Sequence, residues 1–230
     1  MFATIDLTQI GLWLFYIILP ILALYILYLI FTKAFRYMGF SSLEAIVIVF
    51  VSFLFGFEII VFGFNISNIS LFSHGNWRIG INMGGAIIPI LLSVYLTIKK
   101  KIPLKKILIG IIIVAIIAFL VTRPVENKGI VASIPYAFLP AFFASLVSIF
   151  LSWKTFQKAA PLAYISGIIG VLIGADFFHL PELLSYQISE TTNAVIGGAD
   201  VFDMIFMTGV IAVVLDGLIM FRQRSKEGVN

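Results

Sequence analysis

The sequence contains no cysteine, which excludes disulfide bonds, thiolate catalysis, iron–sulfur clusters and cysteine-based zinc sites. Charged residues are also scarce: they form 11% of the 230 residues, against about 25% in a typical soluble domain. Hydrophobic residues reach 61%, and the mean hydropathy is +1.14. This composition leaves little room for a soluble domain. It predicts a multi-pass integral protein of the cell membrane, with membrane lipid as its surroundings.

Seven apolar stretches are long enough to cross a bilayer as helices, which takes about 17–25 residues each. The predicted spans lie near residues 10–32, 43–64, 81–98, 107–122, 134–152, 162–179 and 194–221. They predict an all-α membrane helix bundle that forms a single transmembrane domain over residues 1–230. The third span contains Gly84, Gly85 and Pro89, so we expect it to be kinked or partly unwound.

Basic residues are distributed unevenly between the two sides of the predicted membrane. The connections on one side carry twelve of the fifteen Lys and Arg residues, and those on the other carry only Arg78, Arg123 and Lys128. The positive-inside rule then places the N-terminus outside and the C-terminus in the cytoplasm. The pI near 9.3 does not indicate nucleic acid as a partner, because the cations lie in short runs between apolar segments.

The connection between the second and third spans reads FNISNISLFSHGNWRIG and lies on the predicted outer side. Ser and Asn alternate there with Ile and Phe, which leaves two interpretations open, a short interfacial strand or a plain loop. Asn65 and Asn68 each begin an Asn-x-Ser sequence, so glycosylation remains an open question. The first apolar run lacks a basic leader and a clear cleavage site, and we interpret it as a retained span.

Three aspartates lie in apolar segments where hydrocarbon side chains are expected. Asp176 lies in VLIGADFFHL of the sixth span, and Asp200 and Asp203 lie in IGGADVFDMIF near the start of the seventh. A charged side chain at membrane depth costs about 2.5–3.5 kcal/mol on the mildest insertion scale, and such residues are usually functional. The short connection makes the two spans antiparallel neighbours, with all three acids in the outer half.

We therefore predict that Asp176 pairs with Asp203, or alternatively with Asp200. Two carboxyl groups about 3 Å apart cannot both ionise, so they share one proton and titrate as a pair. One then acts as a base on water while the other, protonated, polarises a peptide carbonyl, as in aspartic proteases. This chemistry predicts an aspartic endopeptidase that needs no metal and no cofactor, and that acts on transmembrane peptides or proteins.

Glu58 and His179 are the other polar residues predicted near the outer face. Both are candidates for the same polar cavity, His179 because it lies three residues after Asp176 on the same helical face. The alternatives are that Glu58 is an interfacial carboxylate and that His179, followed by Leu180 and Pro181, marks the end of the sixth helix.

Two further features concern helix packing. Ser166, Gly170 and Gly174 form a small-xxx-small stripe on the sixth span, which allows a neighbouring helix to approach closely. Asp216 lies near the cytoplasmic end of the seventh span with Arg222 close by in sequence, and we interpret it as an interfacial ion-pair residue.

Three stretches resemble one family of uncharacterised prokaryotic membrane proteins, the DUF1614 family. They are INMGGAIIPILLS (81–93), APLAYISGIIGVLIGADFFHL (160–180) and IGGADVFDMIFMTGVIAVVL (196–215). The last motif of that family reads roughly Gly-Gly-Ala-Gly-x-Phe-Asp-x-Ile-Phe-x-Thr-Gly. Asp203 matches its aspartate, whereas Asp200 stands where glycine is usual. The resemblance implies a membrane domain without a known activity.

A more remote resemblance carries the chemistry. Residues 197–200, Gly-Gly-Ala-Asp, are similar to the Gly-x-Gly-Asp motif of presenilin and signal peptide peptidase, with alanine for the second glycine. The resemblance implies an intramembrane aspartyl protease in which Gly174, Gly197 and Gly198 support the aspartates. The departures are that Ala175 replaces the tyrosine before the first aspartate, that seven spans are predicted instead of nine, and that no Pro-Ala-Leu motif follows.

Two other functions remain open. A proton- or cation-coupled transporter could use Asp176 and Asp203 together with Glu58 and His179. A non-catalytic membrane protein could use the same acids to hold the bundle together. The Ile- and Lys-rich, cysteine-free composition is also compatible with a thermophilic archaeal source.

Overall fold

The computed structural model describes residues 7–198 and 204–227, which form seven continuous helical segments. The α-helices are α1 (Leu7–Tyr37), α2 (Ser42–Leu54), α3 (Ile88–Lys99), α4 (Leu104–Val121), α5 (Leu139–Leu151), α6 (Ala159–Val171), α7 (Phe178–Ser185) and α8 (Met204–Glu227). Two π-turns extend them. Met83–Ile87 precedes α3, as expected for the glycine-containing third segment, and Leu172–Phe177 joins α6 to α7.

Three of the described helices are long and apolar enough to cross a membrane. They are Gly11–Tyr37, Leu104–Val121 and Ala159–Ser185, the last formed by α6, the π-turn and α7 together. Four shorter apolar helices accompany them, at Ser42–Leu54, Met83–Lys99, Tyr136–Leu151 and Met207–Ile219. The long apolar helices indicate a membrane protein.

Seven short strands also occur in the described part of the chain, so the all-α prediction is incomplete. They are β1 (Ile60–Val61), β2 (Phe64–Asn65), β3 (Asn68–His74), β4 (Trp77–Asn82), β5 (Thr122–Val125), β6 (Gly129–Ala132) and β7 (Thr192–Ile196). The pairs β1–β2 and β5–β6 are antiparallel hairpins. In the third sheet, β4 pairs antiparallel with β3 and parallel with β7.

These strands explain where the predicted spans were wrong. The segment 43–64 is helical only to Leu54, and the segment that was expected to be helical from residue 194 begins as β7, with α8 starting at Met204. The sixth segment does not end at His179 but remains helical to Ser185. Hydropathy alone does not separate a short apolar strand from the end of an apolar helix, which is the physical reason for these differences.

Helix α6 is the centre of the bundle. Twelve of its 13 residues are buried, and α3, α4, α5 and α8 pack around it. The predicted small-residue stripe faces α4: a Cβ added at Gly170 would lie 2.6 Å from Val114 Cβ, and one at Gly174 would lie 2.1 Å from the Ala115 carbonyl oxygen. The predicted close helix approach is confirmed, and at Gly174 it extends into the π-turn after α6.

Candidate functional site

Asp176 lies in the π-turn Leu172–Phe177, at the junction of α6 and α7. Its side chain is partly buried, and Oδ2 accepts a hydrogen bond of 2.9 Å from the backbone N–H of Gly197. Gly197 directly follows β7, so this bond connects the central helix to the loop that leads towards α8. A backbone N–H that donates to a carboxylate makes a strong, directional bond, which holds the carboxyl group in one orientation.

The loop that carries Gly197 is seated on the other π-turn. A Cβ added at Gly85 would lie 2.0 Å from the Gly197 carbonyl oxygen, and one at Gly197 would lie 2.5 Å from Ala86 Cβ. Gly197 and Gly198 have φ of +86° and +71°, a left-handed conformation that favours glycine. Glycine is therefore required at 85 and 197 for contact and at 197 and 198 for backbone conformation.

Asn82 holds the π-turn Met83–Ile87 in place. Its Oδ1 accepts a 2.7 Å hydrogen bond from the Gly85 N–H, and its Nδ2 donates to Asn68 Oδ1 at 2.7 Å and to the Phe55 carbonyl at 3.3 Å. The three sequence stretches singled out above, 81–93, 160–180 and 196–215, thus meet at Gly85, Asp176 and Gly197. They are distant in sequence and adjacent in space.

A cavity of about 370 Å³, which we call the outer cavity because strands β6 and β7 beyond the helix ends line it, lies next to Asp176. Its volume is within the usual range of ligand pockets, about 300–1,000 Å³. It is lined by residues 128–131 and 193–196, and by Asp176, Leu180, Leu183, Gly198 and Met204. Lys128, Asn193 and Asp176 make this cavity polar on several sides.

A second cavity of about 360 Å³, the bundle cavity, lies on the helical side of Asp176. Most of its lining is apolar and comes from α5, α6, α8 and the β5–β6 hairpin, with Thr122, Thr208 and Asp176 as the polar residues. Ile134 and Phe138 on its rim are 81% and 51% exposed. Asp176 and Met204 line both cavities, so the carboxyl group lies where an apolar space meets a polar one.

Strands β6 and β7 border the outer cavity with their unpaired edges. Among the described residues, β6 pairs only with β5 and β7 only with β4. Consecutive residues of each strand line the cavity, and no residue of β4 or β5 does. Side chains on one face of a strand would line it alternately, whereas consecutive residues indicate the strand edge. A strand edge presents backbone N–H and C=O groups for pairing, and on β7 the Val195 carbonyl also accepts a hydrogen bond of 3.1 Å from the Gly198 N–H.

Asp200 and Asp203, the predicted partners of Asp176, lie outside the described residues. The chain places them between Gly198 and Met204, and both of these residues line the outer cavity with Asp176. Asp203 is directly bonded to Met204, which lines the bundle cavity as well.

Glu58 and His179 line neither cavity. Glu58 is exposed, and its Oε1 accepts a 2.8 Å hydrogen bond from Asn65 Nδ2 across the β1–β2 hairpin. His179 is buried against α4, with Nε2 3.2 Å from the Phe119 carbonyl oxygen and its ring stacked on that of Phe119. The wider π-turn at Asp176 separates it from His179, although α-helical spacing predicts a common face.

Asp216 does not lie at an interface as the sequence predicted, and the side chain of Arg222, its predicted ion-pair partner, lies outside the described residues. Asp216 is completely buried, and Oδ1 lies 3.2 Å from Ser148 Oγ of α5. The signal in the sequence was the spacing of Ser145, Ser148 and Ser152, which places three hydroxyls on one helical face.

No group of three His, Asp or Glu side chains suited to a metal ion occurs within residues 7–198 and 204–227.

Comparison with known proteins assigns the family. Residues 51–215 match the DUF1614 family, described as a protein family of unknown function, and the chain belongs to it. No curated protein matches significantly, and neither does any solved structure. The more remote resemblance to presenilin and signal peptide peptidase therefore has no support from these comparisons and stays a hypothesis.

The Gly197 contacts predict a large effect of a single methyl group. Gly197→Ala should lower the free energy of unfolding by about 2–5 kcal/mol, since it adds left-handed strain of about 1–2 kcal/mol to overpacking of about 1–3 kcal/mol. Gly129→Ala is the matched control, because Gly129 also has a positive φ of 84° but open space around its Cβ position. Thermal unfolding in detergent compares the two, and equal destabilisation would contradict the tight contact with Ala86.

Proposed function

We propose that this protein is an intramembrane aspartyl peptidase in which Asp176 and Asp203 form the catalytic pair, with Asp200 as the alternative partner. The observation that carries this proposal is the position of Asp176: its carboxyl group is oriented by the Gly197 N–H and borders a cavity that two strand edges line. Asp203 directly precedes Met204 in the chain, and Met204 lines both cavities together with Asp176.

The reaction uses the two carboxyl groups and one water molecule. One carboxylate removes a proton from the water, whose oxygen attacks the peptide carbonyl carbon, while the protonated carboxyl donates its proton to the carbonyl oxygen. The tetrahedral intermediate then collapses and the C–N bond breaks: the leaving amine takes the proton held by the first carboxyl, and one hydroxyl of the intermediate returns its proton to the second carboxylate, which restores the pair. Asp176 suits the role of the base, because the Gly197 hydrogen bond already stabilises its charged form.

The substrate is an extended peptide segment, bound as an added strand between β6 and β7. Addition of a strand to a free edge supplies main-chain hydrogen bonds without requiring a particular sequence. The neighbouring bundle cavity is apolar and suits the hydrophobic part of the same chain. A transmembrane peptide would thus keep its apolar part between the helices while the segment next to Asp176 is extended.

We also propose a topology of seven spans with the N-terminus outside and the C-terminus in the cytoplasm. The seven described helical segments and the uneven distribution of Lys and Arg support it. The β5–β6 hairpin and β7 then lie at the outer end of the bundle, where the sheet edges have access to water. Membrane lipid surrounds the exposed apolar side chains of α1, such as Trp13 at 70% exposure.

Proton- or cation-coupled transport is the second candidate. Asp176 borders both the apolar and the polar cavity, as a carboxyl group on a solute path would. A transporter and a peptidase differ in what Asp176→Asn abolishes: substrate-dependent proton flux into proteoliposomes in the first case and peptide cleavage in the second.

Conservative substitutions test the catalytic pair. Asp176→Asn and Asp203→Asn should each reduce cleavage of transmembrane peptides by at least ~10²-fold, because each removes one acid–base group. Cleavage of a peptide library by the reconstituted protein is followed by mass spectrometry. Asp200→Asn is the matched control and should retain activity. If Asp200→Asn abolishes cleavage and Asp203→Asn does not, the alternative pairing is correct, and full activity of Asp176→Asn excludes the mechanism.

Modified peptides test strand addition. N-methylation of alternate backbone amides, on the side of the peptide that pairs with a strand, removes its N–H donors. Cleavage of such a peptide should fall by about tenfold or more, because each net hydrogen bond contributes about 0.5–1.5 kcal/mol. The control peptide carries the N-methyl groups at the intervening residues, which point away from the pairing edge if a single edge is used. Equal cleavage of unmodified peptide and both methylated peptides would show that main-chain pairing is unnecessary.

The absence of native cysteine makes the topology directly measurable. Glu126→Cys in the β5–β6 turn should react with a membrane-impermeant maleimide on intact cells, whereas Gln157→Cys, before α6, should react only after the membrane is opened. Both native side chains are exposed, so the two variants are matched for access. The reverse labelling pattern contradicts the proposed orientation.

A further inference from the structure

A second buried acid lies between α5 and α8, away from the Asp176 site. Asp216 and Ser148 are both completely buried, and their side chains are in contact, with 3.2 Å between Asp216 Oδ1 and Ser148 Oγ. Ser145, one turn earlier on α5, and Ser152, directly after the end of α5, are also buried. None of these residues lines the outer cavity or the bundle cavity.

The hydrogen atoms available at this contact indicate which group donates. Ser148 Oγ lies 2.8 Å from the Ser145 carbonyl oxygen, closer than it lies to Asp216. A serine hydroxyl has one proton to donate and lone pairs that accept. The Ser148 hydroxyl is placed to donate to either oxygen, whereas the carbonyl can only accept. When the serine proton goes to the closer carbonyl oxygen, the contact between Ser148 and Asp216 takes its proton from the carboxyl group.

The charges around Asp216 agree with a neutral carboxyl group. Among the side chains that the structure describes, which do not include those of residues 220–227, no cation forms an ion pair with it. On the helices packed here, Tyr37 of α1 has its ring against Gly217 and Tyr164 of α6 is fully buried, whereas Lys33 and Arg36 of α1 are exposed. Asp216 Oδ2 has no hydrogen-bond partner among the described residues, an arrangement far less costly for a neutral acid than for a carboxylate.

We propose that Asp216, Ser148 and the Ser145 carbonyl form a proton-binding site, in which the Asp216 carboxyl holds a proton and donates it to Ser148 Oγ. The ligand is a proton, and the site is independent of the proposed peptidase chemistry. The Asp216 carboxyl group lies in the contact between α5 and α8, and its charge would change if it lost the proton. Loss of that proton would leave a buried charge between two helices that both line the bundle cavity.

Infrared spectroscopy of the protein in lipid tests this site. With ¹³C-carboxyl aspartate as the label, the wild type at neutral pH should show the carbonyl stretch of a protonated carboxylic acid that is lost in Asp216→Asn. Asp176→Asn is the control and should keep this band. Ser148→Ala should shift its frequency, because the acceptor of the carboxyl proton is removed. Loss of a carboxylate band instead of an acid band in Asp216→Asn would overturn the proposal.

Two measurements on the wild type do not depend on a folded variant. Transfer to D₂O should shift the acid band, since the carboxyl proton is exchanged for deuterium. Replacement of N-methylglucamine by Na⁺ in the buffer should leave the band unchanged. Disappearance of the band on addition of Na⁺ would show that the carboxyl binds the cation in place of a proton, and absence of any acid band would show that Asp216 is ionised.

Discussion

The hydrogen bond between the Gly197 N–H and the Asp176 carboxyl group is the contact on which the proposed site depends. It joins the buried central helix to the loop after β7, and that loop is held from the other side by Gly85 and Ala86. The carboxyl group is therefore placed by two π-turns and a strand end together, not by one helix. A methyl group at Gly197 would disturb both contacts at once.

Close packing explains why few polar contacts are enough to hold the Asp176 carboxyl group in position. Gly170 of α6 and Gly174 of the π-turn allow α4 to approach to backbone contact, and the same π-turn carries Asp176, whose carboxyl group reaches the loop after β7. Two cavities border the Asp176 carboxyl group on different sides. The outer cavity, next to β6 and β7, has polar side chains in its lining, and the lining of the bundle cavity is mostly apolar. An acid between an apolar and a polar space suits chemistry on a chain that passes from one to the other.

Much of the helical arrangement could be predicted from the sequence, since apolar length and the small-residue stripe locate the helices and the face that packs on α4. Among the strands, β3 and β4 had a sequence signal in the alternation of polar and apolar residues, whereas runs such as IIVFGFN and TNAVIGG are as apolar as helix ends. At the site, Asp176, Gly197 and Gly198 were identifiable from their motifs, and the structure brings them together. Glu58 and His179 make their contacts away from the cavities, with Asn65 and Phe119. The buried partner of Asp216, Ser148, lies 68 residues away in the chain.

The most direct test of the proposed function is the distance between the carboxyl groups of Asp176 and Asp203 in an experimental structure determined in lipid. A catalytic pair that shares a proton requires a separation below about 6 Å across a water-accessible space. The corresponding distance from Asp176 to Asp200 identifies the partner if Asp203 is remote. Separations of more than about 10 Å from Asp176 to both aspartates, with the side chains in different environments, would contradict the peptidase and favour transport through the two cavities.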